Sequence, residues 1–329
     1  MKSFKALVLS TSPTFSSSVE EISLNENPNS SEVVVRVEWS GINYKDGLAV
    51  TNSGKIIRGA FPFVPGIDLA GVVHSSENPA FKPGDRVLST GWGLGESHWG
   101  GYSQYQQLPA QNLLHIPDHL TTRESMIIGT AGFTSMLAAM EIEDGPGKKD
   151  GKFLVTGASG GVGSFSVIAL AHMGLDVVAV TGKKEAESYL LRLGASEVVD
   201  RGSFSGGASA PLDSARWAGC IDSVGSTTLE AVLSQTARHG TVAACGLAGG
   251  ASLNTSVFPF ILRGVRLVGI DSNTCPNDIR KKAWNKLGDL ARKIDLNQLA
   301  HEIKLDQVPE SCQRLMKGEV MGRYLVDLS

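Results

Sequence analysis

Apolar and polar positions alternate in short β-length runs over the first third of the chain. After residue 150 they switch to a strand–helix rhythm. Phe4-Lys-Ala-Leu-Val-Leu9, Glu32-Val-Val-Val-Arg-Val-Glu-Trp39, Asp68-Leu-Ala-Gly-Val-Val-His74 and Asp85-Arg-Val-Leu-Ser89 read as strands. Pro13, Asn27-Pro28, Asn78-Pro79 and Lys82-Pro-Gly-Asp85 punctuate them. That texture predicts a small, partly open β-barrel. Residues 122–141 then read as a helix, with Thr121 or Thr122 as N-cap and Glu124 in its first turn.

The second half alternates. Lys152-Phe-Leu-Val155 is an apolar strand, glycines 157, 160, 161 and 163 form a tight loop, and 164–174 continue as an apolar helix. A second strand follows at Asp176-Val-Val-Ala-Val-Thr181. Then come a helix over 185–193 closed by Gly194, strand 197–200, strand 217–222, helix 226–237, and strands 241–245 and 266–271. Such alternation predicts a doubly wound parallel sheet, an α/β Rossmann domain, over residues 124–261. An amphipathic helix at 281–292 and a final β pattern at 324–328 return to the first domain. The first domain is therefore expected to be discontinuous, 1–123 with 262–329.

The glycine loop carries the first chemistry. Glycine lets backbone N–H groups approach a pyrophosphate, and the helix behind them presents partial positive charge. The spacing is G-x-x-G-G-x-G rather than strict G-x-G-x-x-G, so the loop alone is also read as an ordinary turn. Strand, loop, helix and second strand in this order point to a dinucleotide cradle at Ser159, Gly160, Gly161 and Val162. An NAD site places an acid at the end of the second strand. This chain has Thr181-Gly182-Lys183-Lys184, a hydroxyl and two lysines, which predicts NADPH. The plainer reading is that the lysines only solvate a helix start. Ligands in such sheets sit at the C-terminal ends of strands, which adds Ser223, Leu247, Asp271 and Ser272 as cofactor contacts; ordinary loops are the alternative there.

Composition narrows the partners. The 329 residues are 42% apolar and 19% charged, with a net charge of −3, and no basic stripe appears. Nucleic acid and anionic membrane are thereby disfavoured. The N-terminus reads as a strand rather than a signal peptide, and no run of 18 apolar residues exists, so a cytoplasmic, non-membrane protein is expected. The four cysteines have no C-x-x-C pairing and fit reduced, buried thiols.

The order of a β-rich domain, a nucleotide domain and a return resembles the medium-chain dehydrogenase/reductase superfamily, whose first domain is GroES-like. Gly41-Ile-Asn-Tyr-Lys-Asp46, Pro65-Gly-Ile-Asp68-Leu-Ala-Gly-Val-Val73, Phe81-Lys-Pro-Gly-Asp-Arg-Val87 and the glycine loop carry the resemblance. Within it the chain resembles the zinc-free quinone-oxidoreductase-like branch, nearest the bacterial acrylyl-CoA reductases. Gly91-Trp-Gly-Leu-Gly-Glu96-Ser-His-Trp-Gly-Gly101-Tyr and Gly129-Thr-Ala-Gly-Phe-Thr134 look like that group's segments. Asn43 stands where the zinc branch has a cysteine ligand, and Gly66-Ile67-Asp68 where it has Gly-His-Glu. The resemblance therefore implies no metal, and His98, His115 and His119 read as loop residues.

What it implies instead is NADPH-dependent reduction of an activated alkene in a small CoA thioester. The 43–46 loop would face the nicotinamide, with Tyr44 and Thr134 on the cofactor. Asn43 and Lys45 would hold the thioester carbonyl. Asp68 either orients Lys45 or caps a turn, and Lys45 otherwise pairs with Asp46. Arg323 either clamps a phosphate or forms a surface ion pair. Lys55, Arg58, Arg263 and Arg323 are the candidates for the CoA phosphates. Relatives are commonly dimers, which suggests a homodimer. Quinone or 2-alkenal reduction is the alternative activity, and a non-catalytic NADPH-binding structural or RNA-associated protein the alternative class.

Overall fold

The computed structural model describes residues 3–24 and 32–329. The turn expected at Asn27-Pro28 lies outside them. The chain divides into two compact units, Met1–Thr130 with Ser272–Ser329, and Ala131–Asp271.

The first unit is built on a seven-stranded sheet. Its path runs Ala300–Lys304, Arg323–Asp327, Val33–Gly41, Asp68–Ser76, Arg86–Thr90 and Leu114–His115, with Tyr105–Leu108 paired to Val33–Gly41. A separate hairpin, Phe4–Ser10 with Ser16–Ile22, makes single bridges to Phe63 and Ser103, which lie outside the named strands. The inward positions, among them Val33, Val35, Val37, Leu69, Val73 and Val87, alternate along the strands and are buried. The strand Arg323–Asp327 pairs antiparallel with Val33–Gly41, which brings Arg323 beside the 41–46 loop. That loop ends in a helix, Tyr44–Val50, which the hydrophobic pattern does not mark. Asn43 and Asp46 form a capping box at its start.

The second unit holds a six-stranded parallel sheet in the order Glu197–Asp200, Asp176–Thr181, Lys152–Val155, Trp217–Asp222, Thr236–Ala244 and Arg266–Gly269. In chain order this is 3-2-1-4-5-6, the dinucleotide-binding arrangement, with its switch point between Lys152–Val155 and Trp217–Asp222. The helix expected over 226–237 stops at Gln235, and the following strand begins at once at Thr236. Its irregular register with Trp217–Asp222 and the left-handed His239 blurred the boundary.

Thr122–Asp144 begins as expected. The Thr121 hydroxyl accepts from Glu124 N, and the Glu124 carboxylate accepts from Thr121 N, a capping box. It is long and apolar enough by length and composition to cross a bilayer, although it holds no uninterrupted run of 18 apolar residues. Yet 89% of its apolar window is buried in the protein, as for a core helix, and the helix breaks at Gly129.

Candidate functional site

The glycine loop leaves Lys152–Val155 and turns at Gly157, which has φ +60°. A Cβ there would meet Ser223 Oγ at 2.4 Å, and one on Gly163 would meet the Gly157 carbonyl at 2.3 Å. The protein's own packing requires these two glycines. Gly160 differs. It caps helix Gly161–His172 with an ordinary φ of −82°, and a Cβ would meet only the Gly157 carbonyl, at 3.4 Å. Neither Gly160 nor Gly161 has a positive φ. Gly160 therefore leaves room that the protein does not fill, in front of the unpaired first-turn N–H groups of a twelve-residue helix. That cradle fits a pyrophosphate.

Behind it the switch point is tied together. Thr156 Oγ1 donates to buried Asp222 at 2.6 Å and accepts from Ser223 N, while Ser223 Oγ donates to the Thr156 carbonyl. Burial raises the Asp222 pKa. Ser159 Oγ and Thr181 Oγ1 lie 2.9 Å apart, and Thr181 Oγ1 accepts from Lys183 N. Val162 is half-buried, Thr134 buried and Leu247 exposed.

One residue of this corner escaped the sequence. A Cβ on Gly182 would lie 2.4 Å from Arg201 Nε, so the Arg201 side chain runs across the Gly182 backbone. Lys183 is half-buried. Burial lowers its pKa and Arg201 lowers it further, against the opposing pull of Glu185. Two cations and a hydroxyl thus meet where an NAD site would carry an acid. The signal existed: strands Asp176–Thr181 and Glu197–Asp200 are parallel neighbours with Thr181 opposite Asp200, so the residue after each strand falls at the same edge. Asp200 itself accepts from Gly202 N.

In the first unit the predicted residues gather into a buried polar centre. Asp68 accepts from Asn43 Nδ2 at 2.8 Å, Thr130 N at 2.9 Å and Thr130 Oγ1 at 2.5 Å. Arg323, only 3% exposed, donates to Asn43 Oδ1 at 2.7 Å, to Asp68 at 3.4 Å, and to the Ile42 and Ile127 carbonyls. Asp46 accepts from Asn43 N, Asn43 Nδ2 and Ile67 N. Two glycines make the space. A Cβ on Gly41 would lie 2.7 Å from the Arg323 guanidinium, and one on Gly129 would lie 2.5 Å from both Arg323 and Asp68. Gly129, with φ +47°, breaks its helix so that Thr130 N turns to the Asp68 carboxylate.

These contacts correct four expectations. Asp68 does not orient Lys45; it anchors Asn43, Thr130 and Arg323. Lys45 pairs with neither Asp46 nor Asp68 but with Glu96, at 2.7 Å. Arg323 is neither a phosphate clamp nor a surface ion pair, because burial and four acceptors consume its guanidinium. Asn43 is no open donor, since both amide protons point at carboxylates. Tyr44, the first residue of helix Tyr44–Val50, is 41% exposed and keeps its phenol open. Asp271 closes the second unit and is exposed. Ser272 opens the return, where its carbonyl accepts from Arg280.

A family model described as an alcohol dehydrogenase GroES-like domain matches residues 29–118, and one described as a zinc-binding dehydrogenase matches 161–289. The chain is 49% identical to a probable acrylyl-CoA reductase, AcuI, of Escherichia coli K12, over 91% of each chain. It is 46% identical to the acrylyl-CoA reductase AcuI of Ruegeria pomeroyi, over 94% of each. The solved structure of Escherichia coli K-12 YhdH with bound NADPH superposes with a TM-score of 0.95 at 46% identity, covering 98% of this chain and all of that one.

The zinc named in the family description does not fit these residues. Asn43 and Asp68 are consumed by their neighbours, and among the described residues no three His, Cys, Asp or Glu side chains stand together as a metal site. His98, His115 and His119 have separate partners: the Trp92 carbonyl, Asp85 and Arg292.

Proposed function

The chain belongs to the medium-chain dehydrogenase/reductase superfamily, in its acrylyl-CoA-reductase-like group, and on that premise we propose that it reduces acrylyl-CoA to propionyl-CoA with NADPH. The observation that carries the reading is the 46–49% identity, over more than nine-tenths of each chain, to two acrylyl-CoA reductases. When bound, NADPH supplies a hydride. The backbone of 159–162 would hold its pyrophosphate, and Thr181, Lys183 and Arg201 its 2′-phosphate.

Addition of hydride at the β-carbon breaks the alkene π bond and moves that electron pair through the α-carbon onto the thioester oxygen. A donor aimed at this oxygen stabilises the charge. The Tyr44 phenol is the open donor of the 43–46 loop, and Lys45, held by Glu96, adds positive charge beside it. Asn43, Asp46, Asp68 and Arg323 are positioning residues: they fix the loop that carries Tyr44. Water then protonates the α-carbon.

The protein would act in the cytoplasm, where its four free cysteines stay reduced, and as a homodimer, for which the second unit offers an apolar face along helix Phe258–Arg263. The test runs acrylyl-CoA, crotonyl-CoA and a simple quinone side by side, with NADPH deuterated at the transferred position. Label at the β-carbon of propionyl-CoA is the expected result. Label at the α-carbon would overturn hydride delivery to the β-carbon, and NADPH oxidation by the quinone alone would replace this reading with quinone reduction.

A further inference from the structure

The loop between Asp46 and Asp68 contains no carboxylate in its sequence, yet it carries Lys55, Arg58 and Phe61 at intervals of three. All three are exposed. Arg58 is located by an unusual partner. Glu96 is nearly buried, its side chain only 4% accessible, and it holds two cations: Lys45 tightly at 2.7 Å and Arg58 loosely at 3.6 Å. Arg58 N also donates to the Glu96 carbonyl at 2.7 Å. One carboxylate against two cations leaves a net positive charge, and the Arg58 side chain, 70% accessible, carries it into solvent. Lys55 adds to it. Of the other candidates for an anionic carrier, Arg323 is buried, and Arg263 is committed to the Ser234, Thr236 and Asp213 carbonyls.

We infer that the 55–61 loop binds the nucleotide end of the CoA carrier, its phosphates on Arg58 and Lys55 and its adenine against Phe61. This rests on the acyl-CoA reading above and deepens it. The chemistry matches. A guanidinium with free N–H groups takes a phosphate in two parallel charge-assisted hydrogen bonds, and an aromatic face is a stacking platform for a base. The Glu96 pair also places this loop one carboxylate away from Lys45, which sits in the first turn of helix Tyr44–Val50. A carrier bound at Arg58 is thus tethered beside the proposed carbonyl donors, and its binding energy serves to position a very small acyl group.

The test compares wild type with the double variant Lys55→Ala/Arg58→Ala, on acrylyl-CoA and on acrylyl-pantetheine, which lacks the nucleotide. The ratio of kcat/KM for the two substrates should fall by about tenfold or more in the variant, and the wild-type ratio should shrink as salt rises. Phe61→Ala should lower the same ratio without changing its salt dependence. An unchanged ratio in the double variant would overturn the assignment while leaving the reaction intact. Calorimetry with free CoA and NADPH-saturated protein stands independent of turnover. Binding by wild type that the double variant loses supports the loop even if another acyl-CoA is the substrate, and absence of binding to wild type overturns it.

Discussion

Both amide protons of Asn43 are directed at carboxylates and its oxygen at a guanidinium, and that satisfaction decides what the 43–46 loop can do. The residue types were readable from the motif; their partners were not. Arg323 and Thr130 are 280 and 87 positions away from Asn43 in sequence, and no local pattern predicts that they converge on one carboxylate. Nor does pattern show that Asp46 is buried, or that burial, against the hydrogen bonds from Asn43 and Ile67, pushes its pKa up to about 7. Folded Asp46 therefore binds a proton that the unfolded chain, with its ordinary value of 3.8, has already released. Its contribution to stability is greatest below pH 4, declines as pH rises from about 4 to about 7, and is flat above that. The stability lost through this group between acid pH and neutrality is on the order of 4 kcal/mol. In Asp46→Asn this slope should vanish, so the stability difference between wild type and variant, measured by urea denaturation from pH 4 to 8, should change sharply below pH 7 and level off above it. A pH-independent difference would show that Asp46 stays ionised throughout.

Among the elements, long or strongly periodic ones were legible and short polar ones were not. The strand–loop–helix at 152–172 was plain because four apolar residues, clustered glycines and an apolar helix follow one another. Ser16–Ile22 was missed because half of it faces solvent and serine obscures its alternation. Tyr44–Val50 was missed because it is seven residues long with Gly47 inside, and tertiary contacts rather than propensity hold it. Periodicity also cannot tell a glycine the fold needs from one a ligand needs. The structure separates them within one loop. Gly163→Ala drives a Cβ to 2.3 Å from the Gly157 carbonyl and 2.5 Å from Ala158 Cα, backbone that cannot swing aside. It should lower stability by about 2–3 kcal/mol. Gly160→Ala meets nothing closer than 3.4 Å, so thermal unfolding of the apoprotein should barely move, while NADPH affinity falls by about tenfold as the methyl enters the cradle. Calorimetry and fluorescence titration on the two variants distinguish these effects; equal NADPH affinity in Gly160→Ala and wild type would remove the loop from the cofactor site.

At the scale of the whole molecule, the second unit presents a face that a lone copy leaves wet. Val257, Phe258, Ile261 and Leu262 are exposed at the start and along helix Phe258–Arg263, with Leu247 and Leu253 exposed in the segment before it. A cluster of large apolar side chains of this kind marks an interaction surface rather than the scattered exposure of an ordinary monomer. Beside it in sequence runs Arg266–Gly269, the outermost strand of the parallel sheet, paired with Thr236–Ala244 on one side and with no strand on the other among the described residues. An open edge next to an apolar helix suits a second copy of the same chain. A two-fold axis would set the edge strands antiparallel and the helices face to face, each patch covering its own equivalent. The expected mass by light scattering is therefore twice the 34.7 kDa of the chain. Ile261→Glu, at the most exposed of these positions (68%), places a charge where the two copies would meet and should shift the species to monomer at micromolar concentration without loss of secondary structure. A wild-type protein that runs as a monomer would leave this apolar face to some other occupant.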